Sequence, residues 1–153
     1  MLQNTLWILI ENWKIFLWEK KRGFATWVLN WVWWKQEKWE TIDECMIREA
    51  NEEIWIVIDK KDLEYLGVLH FYFSDDIDNL DVHLYNILSY TWNVIESDEI
   101  KPFWFNLDNI PYDKMWEDDK IWLPRILNWE KYVEYNFYFD RELWKMIKQE
   151  LIK

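Results

Sequence analysis

Glycine is nearly missing from this chain: Gly23 and Gly67 are the only two in 153 residues, against 15 tryptophans. Ordinary usage, about 7%, would give roughly ten. Glycine supplies the positive-φ corners of tight turns, so a fold with many turns is hard to build without it. Tryptophan stands where those corners are expected. Asn12-Trp13 separates two strand-like runs at a place where Asn-Gly would close a hairpin. Trp31, Trp33, Trp34 and Trp39 crowd the stretch before a helix start.

The chain is acidic, with 18 Lys and Arg against 29 Asp and Glu and a net charge of −11. That balance argues against a nucleic-acid polymer or an anionic membrane as partner, since both reward basic residues. Hydrophobic residues make up 51% of the chain, enough for the core of a single domain over residues 1–153. Cys45 stands alone, so no internal disulfide can form. No apolar run approaches the roughly 18 residues of a membrane helix, and no basic segment precedes the short apolar N-terminal stretch. These features predict a cytoplasmic monomer.

Periodicity predicts a mixed α/β (α+β) fold. Thr5–Glu11 and Lys14–Glu19 read as a hairpin, followed by a loop from Gly23 to Trp39 with a short strand around Trp27–Leu29. Thr41-Ile42-Asp43-Glu44 has capping-box spacing, and Ile42, Met46, Ala50 and Ile54 then recur as a buried helical stripe. Leu63–Phe73 and Asp81–Ser89 are predicted strands across an acidic turn, with His70 and His83 as strand residues and no catalytic role. Ile100–Leu107 and Tyr132–Phe139 are further strands. Lys120–Leu127 is a short helix interrupted by Pro124, and Leu143, Met146, Ile147 and Leu151 predict a C-terminal helix.

The helix starting at Thr41 places Glu49, Glu52 and Glu53 at i, i+3 and i+4, so their carboxylates share one face opposite the apolar stripe. Three like charges repel there, and a hard divalent cation would turn the repulsion into binding. Taken alone, such a triplet is more often a solvated acidic face. Its neighbours extend the pattern: Trp34-x₅-Glu40-x₇-Arg48-Glu49-Ala50-x-Glu52-Glu53-x-Trp55-Ile56. This resembles the Nudix hydrolase signature, Gly-x₅-Glu-x₇-Arg-Glu-aliphatic-x-Glu-Glu-x-Gly-aliphatic. Every charged position matches, and Trp holds both glycine positions. Lys20-Lys21-Arg22-Gly23-Phe24, Asn30-Trp31-Val32-Trp33-Trp34-Lys35, Asp81-Val82-His83, Glu96-Ser97-Asp98-Glu99 and Met115-Trp116-Glu117-Asp118-Asp119 are similar, in order, to oxidised purine nucleoside triphosphate hydrolases of the 8-oxo-dGTP diphosphatase type.

The resemblance implies a mixed sheet between helices, with a loop-helix-loop signature at 34–56. It implies Mg²⁺ (or Mn²⁺) on Glu49, Glu52, Glu53, Glu99 and the backbone carbonyl of Trp33. Glu53 and Glu52 would be catalytic, Glu53 nearest the attacking water, while Arg48 would orient a glutamate. A small-molecule nucleotide would be held by Lys20 and Lys35 at its phosphates and by Asn30, Trp116, Asp118 and Asp119 at its base. Phe24, Phe71, Phe73 and Leu80 would wall the pocket over a floor at Thr5. The implied reaction converts oxidised purine nucleoside triphosphates to monophosphate and pyrophosphate. Two alternatives remain open: a Nudix hydrolase of another nucleoside diphosphate-linked substrate, and a catalytically impaired nucleotide-binding relative.

Under the same resemblance Trp18, Trp27, Trp31, Trp33, Trp34, Trp39, Trp55 and Trp92 fall on glycine positions, whereas Trp104, Trp116 and Trp122 fall on tryptophan. UGA codons that mean glycine, read as tryptophan, would produce this pattern. Including Trp7, Trp13, Trp129 and Trp144, twelve such positions would leave 14 glycines and 3 tryptophans (2 + 12 and 15 − 12). The rival reading is a genuinely Trp-rich, degenerate relative.

Overall fold

The computed structural model describes residues 1–21, 26, 28–31, 33–91 and 100–153, with the backbone alone at 30, 33, 34 and 100. A six-stranded mixed sheet runs in the order β10-β9-β6-β7-β1-β5. Its members are β1 (Leu2–Ile8), β5 (Trp33–Lys35), β6 (Leu63–Phe73), β7 (Leu80–Ile87), β9 (Val133–Asp140) and β10 (Lys145–Leu151). The pairs β1–β7 and β6–β9 are parallel, and the other pairs of this sheet are antiparallel. A smaller sheet sets β3 (Lys14–Lys20) between β8 (Ile100–Asn106) on one side and β2 (Ile10–Glu11) and β4 (Leu29–Asn30) on the other.

Alternation along β1 divides the interior. Leu6 and Ile8 join Leu84, Leu69, Phe137, Trp122 and Leu123 in a cluster beneath helix α2 (Asp119–Leu127). Trp7 faces the other way, joining Phe16, Tyr85, Met46, Ala50 and Ile54 beneath helix α1 (Ile42–Ile54). Helices thus cover both faces of the large sheet, as the α/β reading required. In β6 the pairing with β7 shifts register between Tyr65 and Gly67. Gly67 has φ +136°, and a Cβ there would lie 1.8 Å from the Val133 carbonyl oxygen, so a side chain has no room.

Four elements differ from those the sequence predicts. First, the N-terminal run is not one hairpin arm: Leu2–Ile8 belongs to the large sheet, and only Ile10–Glu11 pairs with Lys14–Ile15 across Asn12-Trp13. Second, the loop strand sits at Leu29–Asn30, Trp27 lies outside the described residues, and β5 was not anticipated. Third, α2 continues through Pro124 without a break. Fourth, the C-terminal segment is a strand. Leu143, Ile147 and Leu151 stay 68, 64 and 53% exposed, so their helical spacing marks no buried face. Strand β10 instead satisfies its backbone by pairing with the open edge of β9.

Candidate active site

Helix α1 starts where the sequence predicts. The Thr41 hydroxyl accepts from Glu44 N at 3.3 Å while the Glu44 carboxylate accepts from Thr41 N at 2.7 Å. Cys45, Met46, Ala50 and Ile54 are buried, which fixes the helix roll and directs the next row of side chains along its flank.

That row is organised by Arg48. Its Nε and Nη2 donate to the two carboxylate oxygens of Glu40 at 2.9 and 2.7 Å, a bidentate pair. Its Nη1 donates to Glu49 at 2.5 Å and Glu52 at 3.1 Å. The Glu40 side chain is fully buried and also accepts from Glu37 N. The hydrogen bond from Arg48 holds its carboxyl down at about 2, against the opposing push of desolvation. Arg48 thus ties Glu40, Glu49 and Glu52 together, with Glu40 as its buried anchor, a contact that the motif spacing alone does not reveal.

Glu49 is less solvated than a face opposite the core implies. It is buried, and desolvation raises its pKa, with the Glu52 charge adding to the rise and Arg48 opposing it. Glu52 is exposed and Glu53 half-buried. Among the described residues no three acidic, His or Cys side chains converge on a single point. The donor set is nonetheless all carboxylate on one helix flank, which suits a hard divalent cation. Glu99 lies outside the described residues. The Trp33 backbone lies in β5, paired with Leu6.

The second group of predicted residues lies on the other face of the large sheet. Asp118 and Asp119 are 5 and 1% exposed at the start of α2. Trp122 Nε1 donates to Asp118 at 3.1 Å, and Trp31 Nε1 and Trp116 N donate to the two Asp119 oxygens at 2.7 and 3.2 Å. Burial pushes the Asp118 carboxyl up to about 6, and burial together with the Asp118 charge pushes Asp119 well above the carboxylate range. Phe71, Phe73 and Leu80 pack on the same core cluster. Trp144 bridges Phe73 and Trp116, with ring centroids 5.9 and 6.0 Å away.

Thr5 is not at the floor of this group. It lies on the opposite face, its hydroxyl toward Cys45 of α1, because β1 residues alternate and Leu6 takes the aspartate side. Asn4, 5% exposed, shares the Leu6 parity, and its Nδ2 donates to the Leu2 carbonyl at 3.4 Å. Lys20 ends β3 opposite Ile100, and Lys35 ends β5 opposite Asn4. Phe24 and the Asn30 side chain lie outside the described residues.

Linkage gives the aspartate pair a measurable sign. Both groups hold protons more tightly folded than unfolded. Their contribution to stability is complete below the ordinary aspartate pKa of 3.8; that of Asp118 is lost as pH rises through about 6, and that of Asp119 as pH rises through its own raised pKa. Asp118→Asn removes one titrating group and the like charge beside the other. Urea unfolding from pH 4 to 8 should show stability falling with pH in the parent and a shallower fall in the variant. Parallel slopes would mean that the pair titrates as two ordinary surface carboxylates.

Residues 35–126, spanning α1 and the aspartate pair, match the NUDIX domain model. The chain belongs to the NUDIX family. It is 34% identical to the oxidized purine nucleoside triphosphate hydrolase of Danio rerio over 131 residues, 86% of this chain and 83% of that protein. It is 31% identical to the Mus musculus protein of the same name, over 90% of this chain and 87% of that one. The fold also matches the crystal structure of a MutT protein from Bacillus halodurans, with TM-score 0.85 and 18% identity over 99% of this chain and 98% of that one. The matched span of this NUDIX chain contains both the acidic helix α1 and the buried aspartates.

Proposed function

We propose that this NUDIX protein hydrolyses oxidised purine nucleoside triphosphates of the 8-oxo-dGTP type to monophosphate and pyrophosphate, clearing damaged precursors from the nucleotide pool. The observation that carries the reading is the buried Asp118–Asp119 pair, set among aromatic rings, where burial and the adjacent like charge push the carboxyls above the ordinary aspartate range. A protonated carboxyl can donate to a purine acceptor while its neighbour accepts from a purine N–H, and stacking on Trp116 would orient the ring. The names of the zebrafish and mouse relatives point the same way.

Glu49, Glu52, Glu53 and Glu99 would hold Mg²⁺ or Mn²⁺, which supplies charge neutralisation at the phosphates and a more acidic water. Arg48, locked on Glu40, keeps Glu49 and Glu52 in place, and Glu53 stands nearest the attacking water. Lys20 and Lys35 contact phosphate oxygens. The active species is a monomer in the cytoplasm, a single domain acting on a small molecule. No helix among the described residues is long and apolar enough to cross a membrane.

The test is kcat/KM for 8-oxo-dGTP against dGTP in the chain carrying glycine at positions 13, 18, 27, 31, 33, 34, 39, 55 and 92. A preference of at least tenfold for 8-oxo-dGTP is expected, because buried polar partners penalise a base that leaves them unpaired. Equal values would remove the oxidised-purine assignment and leave another nucleoside diphosphate-linked substrate as the reading.

A further inference from the structure

The proposed base site already holds a ring. Trp31 directly follows β4, and its indole is 2% exposed, packed with Leu6, Leu29, Met115 and Trp122 in the cluster below α2. Its ring centroid lies 5.6 Å from that of Trp122 at an interplanar angle of 48°. Its Nε1–H donates to Asp119 Oδ1 at 2.7 Å, a fully buried bond. The donors Trp116 N and Trp122 Nε1 come from the segment that carries the pair itself. Among the described residues, Trp31 is the donor that arrives from a separate part of the chain, 88 residues away.

An indole is a planar fused bicycle with one ring N–H, and a purine that reads a carboxylate presents the same outline and the same donor. Both need the same oxygen and the same slot between aromatic side chains. We propose that the Trp31 indole occupies the purine subsite, so that the side chain at position 31 decides whether the pocket admits a base. The proposal rests on the reading of Asp118 and Asp119 as the base site. Removing the indole leaves Asp119 Oδ1 buried without that donor, and a nucleotide N–H supplies the replacement.

Full-length parent, Trp31→Gly, Trp31→Ala and Trp31→Phe proteins are titrated calorimetrically with 8-oxo-dGMP in the absence of metal. Circular dichroism confirms that each is folded. Glycine and alanine should each bind at least tenfold tighter than the parent, whereas phenylalanine, which keeps a ring in the slot, should stay within about twofold of it. Adding Asp119→Asn to Trp31→Gly should abolish the gain. Folded glycine and alanine variants that bind no tighter than the parent overturn the proposal. So does a gain that survives Asp119→Asn, since the nucleotide then sits elsewhere. Should the proposal fail while the multiply glycine-substituted chain still prefers 8-oxo-dGTP, the functional reading stands without it. Should the gain appear equally for dGMP, dAMP and 8-oxo-dGMP, the subsite stands and the oxidised-purine reading falls.

Discussion

Glu53→Gln should lower kcat a hundredfold or more, about 3 kcal/mol of barrier, with little change in KM. The substitution keeps the size of the side chain and removes its charge. Arg48 engages Glu49 and Glu52, and Glu53 occupies the third carboxylate position on the same flank of α1, half-buried next to the helix end. A group that supports an attacking water acts mainly in the transition state, so its loss appears in turnover rather than in substrate binding. The measurement is Mg²⁺-dependent pyrophosphate release from 8-oxo-dGTP by the chain with glycine at the nine positions named above. Glu44→Gln serves as control, because glutamine still completes the capping box and Glu44 lies a full turn outside the acidic triplet. Near-normal turnover in Glu53→Gln would reduce the acidic row to a solvated helix face.

Much of this site is legible as spacing. Arg48, Glu49, Glu52 and Glu53 are neighbours on one helix, and a capping box and a four-residue apolar repeat suffice to place them. Strands β7 and β9 are legible because alternation survives wherever one face is buried, and β6 because it is a long apolar run whose residues Leu66–Leu69 are buried in succession. What fails depends on long-range pairing. Whether Thr5 faces the aspartates or α1 is decided by the register of β1 against β7, which fixes the parity of the whole strand. The helical spacing in β10 misleads because Ile147 and Leu151 stay exposed and only Met146 meets the core, while the segment's backbone answers to a free strand edge. Glu40 is recognisable in the motif, but its burial beneath Arg48 appears only when the loop folds back onto α1.

Four tryptophans sit in backbone conformations that an L side chain seldom adopts: φ is +59° at Trp13, +62° at Trp55, +68° at Trp129 and +52° at Trp144. Trp13 closes the β2–β3 turn beside Asn12, also at positive φ, which is the geometry that Asn-Gly serves. Trp55 caps α1 in the left-handed position that glycine commonly takes at a helix end. Trp13, Trp55 and Trp129 are 78, 63 and 88% exposed, so their rings recover little burial for that strain. Replacing all three by glycine should stabilise the protein by about 3 kcal/mol. This takes roughly 1–2 kcal/mol of relief per site less part of the extra unfolded-state entropy of glycine. Thermal melts should show the midpoint rising by roughly 10 °C. Trp7 behaves oppositely. It is buried and stacks on Phe16 at 5.5 Å, so glycine there should cost several kcal/mol, on the order of 3–5 for an emptied aromatic site. The decoding hypothesis makes its own demand: codons 13, 18, 27, 31, 33, 34, 39, 55 and 92 are UGA, with 129 and 144 joining them on backbone grounds, and codons 104, 116 and 122 are UGG. UGG throughout, together with a triple variant no more stable than the parent, would establish the tryptophans as genuine and the pocket as closed by design.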